Sequence, residues 1–153
     1  MIIQSKNLLE QGAPKSYLSN TEVAGTTIFR LRNTNGFGSS WGIQIGEVGQ
    51  EQSEVLVLSG NPGAGTLGTT TAVSRYEHPA DTPCYAIKYD QVVFERSTTG
   101  TAGVATVLTG GTVTYQPDHE FTQFDDTSGS ITYAYKTLFR NSDIKGNFYY
   151  LDT

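Results

Sequence analysis

Two histidines and their acidic neighbours are the first place to look for chemistry in this chain. His78 has Glu77 and Asp81 close in sequence, and His119 lies between Asp118 and Glu120. Histidine with carboxylates is a metal donor set, but zinc takes more His or Cys than this chain supplies. Asp118, Glu120, Asp125 and Asp126 crowd together as oxygen donors, yet the twelve-residue calcium loop closed by a Glu is missing. Cys84 is the single cysteine, so no intramolecular disulfide forms. It opens an apolar run without any nucleophile signature and reads as a small buried hydrophobe. Gly60-x4-Gly65-Thr66 echoes a phosphate-binding loop, but the lysine is absent and no helical pattern follows. There is no Gly-x-Ser-x-Gly elbow. Fifteen acidic residues always offer some carboxylate pair, so glycoside hydrolysis leaves no specific mark. The expectation is a non-enzyme with no catalytic residue, no cofactor and no metal.

Composition narrows the class further. The chain has 153 residues, enough for one ordinary domain or a small domain with an appendage. Charged residues make up 16%, against roughly 25% in soluble domains, so Thr, Ser, Asn, Gln and Gly must supply the polar surface. A net charge of −5 without a basic patch argues against nucleic acid as a partner. No apolar run is long enough to expect a membrane span, and the first fifteen residues lack a signal-peptide layout. Synthesis in a cytoplasm is the expectation.

The elements that would position any site are short strands. Residues 1–19 read as an arm, in which Ile2 and Ile3 could add an edge strand and residues 6–11 one helical turn ended by Gly12 and Pro14. Residues 20–60 read as a small β unit of three strands, at 26–32, 40–48 and 54–58. The Asn35-Gly36 pair marks a tight turn between the first two. Trp41, Ile43 and Ile45 share one face of the second strand, while Gly42 and Gly46 allow close approach on the other. The glycine-rich stretch 60–68 reads as a hinge. A second unit over 69–153 holds strands at 70–76, 85–89, 92–96, 104–108, 111–116, 121–124, 131–136 and 148–151. Prolines 79 and 83 and the Asp125-to-Gly129 cluster supply turns. In the strand after that cluster, Ile131, Tyr133 and Tyr135 share one face.

Phe124, Asp126-Thr127, Tyr133-x-Tyr135 and Asn141 lie at the offsets of the E and F strands of a fibronectin type III domain, which this segment resembles. The resemblance implies an all-β, Ig-like/fibronectin type III-like β-sandwich preceded by a small β-meander and an N-terminal arm. In it the aromatic pair fills the core and the asparagine closes the next turn. The run 92–96 with Ser97-Thr98-Thr99-Gly100 is similar to the end of that family's strand C. The core tryptophan of the family is missing, so Tyr85 or Tyr89 takes its place.

The stretches 75–98 and 121–142 resemble those of tailed-bacteriophage virion structural proteins. That resemblance implies a non-enzymatic subunit of head, neck, tail or baseplate, located in the virion. Its partners would be copies of itself and other virion proteins, met through the arm and through β edges. The arm could equally lie on its own domain. A second reading makes the chain a carbohydrate- or cell-surface-binding module with a host-surface glycan as ligand. Tyr76, Tyr85, Tyr89, Tyr115, Tyr133 and Tyr135 would then supply its stacking face.

Overall fold

The computed structural model describes residues 1–9, 12–39, 41–60, 67–141 and 148–149. Twelve strands and no helix appear among them. The first seven are β1 (Ile2–Lys6), β2 (Lys15–Tyr17), β3 (Ile28–Arg30), β4 (Gly42–Ile45), β5 (Glu54–Val57), β6 (Leu67–Thr69) and β7 (Pro83–Ile87). They are followed by β8 (Gln91–Ser97), β9 (Thr106–Thr114), β10 (Phe121–Asp125), β11 (Ala134–Arg140) and β12 (Phe148–Tyr149). Two four-stranded sheets form, β2-β7-β4-β5 and β12-β11-β8-β9. Two further ladders, β1-β10 and β3-β6, complete the set, and every pairing is antiparallel. The all-β expectation holds, in an arrangement of stacked sheets consistent with a β-sandwich.

Strand β7 shows how one sequence pattern feeds two cores. Cys84 and Ala86 point to one face, where they join Phe29, Leu31, Ile43 and Ile45 in a first apolar cluster. Tyr85 and Ile87 point to the other and join Tyr89, Phe94, Tyr115 and Phe139 in a second. Alternation along a strand produces this split directly. The neighbouring strand β4 is buried along its whole length, because both faces of its sheet are covered. Gly42 is needed there, since a Cβ would lie 2.8 Å from Ile87 Cγ1 and 2.9 Å from the Tyr89 carbonyl oxygen. In the second cluster Tyr89 meets Phe139 at 4.8 Å and Tyr115 edge-on at 5.4 Å between ring centroids. Such pairs add about 0.5–1.5 kcal/mol beyond the area they bury.

The pairing differs from the sequence reading in several places. No break follows residues 60–69: β6 pairs with β3, and β7 pairs with β2 and β4. Residues of the expected second unit thus complete the sheets of the first, and Val55 packs against the second cluster. The hinge residues 61–66 lie outside the described residues. Gly36 does adopt φ +85° in a turn, and Asn33 Oδ1 accepts from the Asn35 amide. Yet β3 and β4 do not pair with each other; they enter different sheets. The strand expected over 70–76 stops at Thr69, apart from a single bridge of Thr70 to Leu58. There the Thr70 hydroxyl donates to the Ala72 carbonyl, a local bond that competes with ladder geometry. The runs 104–108 and 111–116 merge into β9, which carries an irregularity opposite Val93 and Glu95.

The arm takes the second of its two expected placements, on its own chain, with Ile2 and Ile3 in a strand. Residues 2–6 form β1 and pair in register with β10, from Ile2 opposite Asp125 to Lys6 opposite Phe121. Ile3 packs on the second cluster, and Asn7 is buried. No helical turn forms over residues 6–9, and residues 10 and 11 lie outside the described set. Within the 1–19 segment, residues 2–6 and 15–17 are thus strands of the chain's own sheets, β1 and β2.

Candidate functional site

The turn between β10 and β11 gathers most of the residues singled out in the sequence. Asp126 is buried at its centre. One carboxylate oxygen accepts from Arg96 Nη1 at 2.7 Å and from the Tyr135 hydroxyl at 3.2 Å. The other accepts from the Ser128 amide at 3.1 Å and the Ser128 hydroxyl at 3.0 Å. Arg96 also donates to Ser128 Oγ at 2.8 Å and lies 5.1 Å from the centroid of the Tyr133 ring. Tyr133 and Tyr135 are therefore half-buried members of a polar clasp and do not fill the core. The reason is register: β11 starts at Ala134, so Ile131 and Tyr133 precede the sheet. The core positions go to Tyr89, Tyr115 and Phe139.

Phe124 stacks on Phe94 at 5.7 Å, and Thr127 is exposed in the turn. Asn141 is buried and donates to the Lys88 carbonyl at 3.1 Å, tying the end of β11 to the turn between β7 and β8. The turn that follows Asn141 falls outside the described residues. Arg96 figures in the sequence only as the end of the run 92–96, with no partner assigned to it. Its signal was an arginine on a strand two residues after Phe94.

The clasp predicts a pH effect. Burial alone raises the Asp126 carboxyl pKa, but hydrogen bonds from Arg96 and Ser128 outweigh it and hold the net value below the ordinary carboxylate range. A depressed folded-state pKa stabilises the fold above the unfolded value of about 4, and that gain disappears as pH falls through the folded value. Asp126→Asn should therefore lower the melting temperature at pH 7 and narrow its gap from wild type below about pH 4. Parallel melting curves from pH 7 to pH 2.5 check this; a gap that stays constant would show that the carboxylate contributes no charge-linked stability.

Around the clasp several apolar side chains are exposed, beside the ion pair of the Met1 ammonium with Asp125. Ile131 is 94% exposed and Val104 is 87% exposed. Met1 and Ile2 are exposed too, and Met1 Cε approaches Gly129. The loops at 97–105 and 127–133 flank a shared depression lined by Gly100, Gly103, Ala134 and Tyr135. Neither loop contains Asp, Glu, Lys, Arg or His. Both sit at the same end of the sheet, because Ser97 at the end of β8 pairs with Ala134 at the start of β11.

The opposite end of β8 borders a cleft of about 510 Å³. Gln91 pairs there with Thr114, and the cleft runs along 114–119, β5 and residues 72–75. Val55, Leu56, Val73 and Pro117 give it apolar walls. Arg75 and Asp118 face each other at 3.7 Å, and His119 Nδ1 lies 3.1 Å from Asp118. His119 is exposed, as expected of a turn histidine. Tyr115 lines the cleft with a buried hydroxyl that has no hydrogen-bond partner among the described residues, and burial pushes its pKa up.

His78 is buried, and its partner is neither sequence neighbour. Its Nε2 lies 2.7 Å from Glu54 Oε1, and the Arg75 amide donates to Glu54 Oε2 at 2.9 Å. Both side chains are under 5% exposed. A glutamate heading the apolar run 54–58 was the available signal that a buried partner existed. Cys84 is buried as expected, and burial pushes its thiol up to about 12, which keeps it protonated and unreactive. Among the described residues no three His, Cys, Asp or Glu side chains converge as a metal site. Of the six tyrosines named for a stacking face, Tyr85, Tyr89 and Tyr115 are buried in the second core.

No protein-family model, curated protein or solved structure matches this chain.

Proposed function

We propose that this chain is a non-enzymatic structural subunit of a tailed-bacteriophage particle, assembling with copies of itself and other virion proteins. The observation that carries the reading is the loop end, where the loops 97–105 and 127–133 hold no charged side chain and Met1, Ile2, Val104 and Ile131 expose apolar ones. The clasp of Arg96, Asp126 and Tyr135 holds that end in place beneath them. Exposed apolar residues grouped together on a polar molecule mark contact sites. Loops without charge can be buried against a neighbour without stripping water from ions. The Ig-like/fibronectin type III-like form of the sandwich is part of the same reading. Strands β8, β11 and β12, taken as C, F and G, are consecutive neighbours, and β10, taken as E, lies outside their sheet. With β1 committed to β10, assembly falls to loops and free sheet edges instead of an arm.

Light scattering behind size exclusion, over a wide range of concentration, tests the reading. The expected result is a defined oligomer at high concentration, with a mass that is a whole multiple of the 16.6 kDa chain. A strict monomer throughout would count against self-assembly.

A further inference from the structure

The loop end and the cleft stand at opposite ends of β8, six residues apart. At about 3.4 Å per residue that separation is roughly 20 Å. One end presents an apolar projection and the other an apolar recess on the same molecule. We infer that copies of this chain join head to tail, with Ile131 and Val104 of one copy seated in the cleft of the next. The inference rests on the assembly reading and names the two surfaces it uses.

Size, polarity and charge support the match. The cleft, at about 510 Å³, is within the range that takes a buried ligand or a pair of side chains. Its walls include Val73, 55% exposed and without an apolar cover in the single chain. The projecting loops bring no ionisable group except tyrosine, so they carry no charge into the cleft, whose own charged lining is Glu54, Arg75 and Asp118. At the rims the charges are opposite. Asp125, paired with the Met1 ammonium at 3.1 Å, is exposed beside the loop end, and Arg75, 3.7 Å from Asp118 and donating to the Tyr76 hydroxyl at 3.2 Å, is exposed beside the cleft. A contact between two different surfaces is heterologous and yields a ring if the rotation closes and a filament if it does not.

Two variants at exposed positions test this. Ile131→Asp spoils the projection and Val73→Asp spoils the recess; Val104→Asp serves as a second projection variant should Ile131→Asp fail to keep the wild-type melting temperature. Each single variant should need about a hundredfold or more higher concentration to associate, the scale of an unpaired charge forced into an apolar contact. An equimolar mixture of Ile131→Asp and Val73→Asp has one intact projection and one intact recess. It should form a one-to-one heterodimer and nothing larger. Variants that assemble as wild type does would sink the head-to-tail contact while leaving self-assembly standing. Monomeric variants whose mixture also stays monomeric would sink it too. A wild-type protein that remains monomeric throughout would remove both the contact and the reading beneath it.

Discussion

Deleting residues 1–7 should abolish the cooperative unfolding transition or shift it to far lower denaturant, leaving no folded sandwich behind. Strand β1 supplies the partner of β10 over five register pairs. Asn7 then ties the end of β1 to the stretch 116–122 through four hydrogen bonds. Its Nδ2 donates to the Gln116 carbonyl at 2.6 Å and the His119 carbonyl at 3.0 Å, and its Oδ1 accepts from the Thr122 hydroxyl at 2.7 Å. Its own amide donates to the Glu120 carbonyl at 2.9 Å. Each buried group left without a partner costs about 1–3 kcal/mol. Several such losses, with the apolar contact of Ile3, approach the 5–15 kcal/mol by which domains are typically stable. Asn7→Ala isolates part of this and should lose about 2–4 kcal/mol. Urea titration followed by circular dichroism reads both variants. An unchanged midpoint in the deletion would mean that β1 is dispensable and free to serve as an arm.

His78→Ala should be comparably damaging, at about 3–5 kcal/mol, because it leaves the Glu54 carboxylate buried without its partner. Removing one member of a buried pair is worse than removing both, since the remaining charge cannot regain its water. The double variant Glu54→Leu with His78→Leu should therefore recover most of the loss. Urea midpoints for wild type, single and double variants decide the matter. A single-variant loss below about 1 kcal/mol would mean that Glu54 draws solvent from the cleft it borders.

Both effects concern partners that lie far apart in sequence, and this is where sequence reading ran short. His78 was weighed against Glu77 and Asp81, but its partner is 24 residues away on β5. The clasp was half legible. The spacing of Asp126, Tyr133 and Tyr135 marked the turn, yet the aromatic pair was assigned to the core. A start of β11 at Ala134, one residue past Tyr133, was enough to move that ring outside the sheet. Tyr89, by contrast, was named as a substitute for the missing tryptophan, and it is fully buried among Tyr115 and Phe139. Alternation placed Ile43 and Ile45 correctly on one buried face, and Gly42 does permit close backbone approach.

By itself the sequence determined the strand-rich class, the turn at Gly36, the burial of Cys84 and the scarcity of charge, because these follow from side-chain type and a two-residue period. Tertiary structure alone decided which strands pair, where Glu54, His78 and Asn7 find their partners, and that residues 2–6 and 15–17 join the chain's own sheets. An antiparallel edge accepts any strand of suitable pattern, so local sequence leaves the choice of neighbour open. That choice is made by burial and by buried polar groups, which are satisfied in one arrangement of the whole chain.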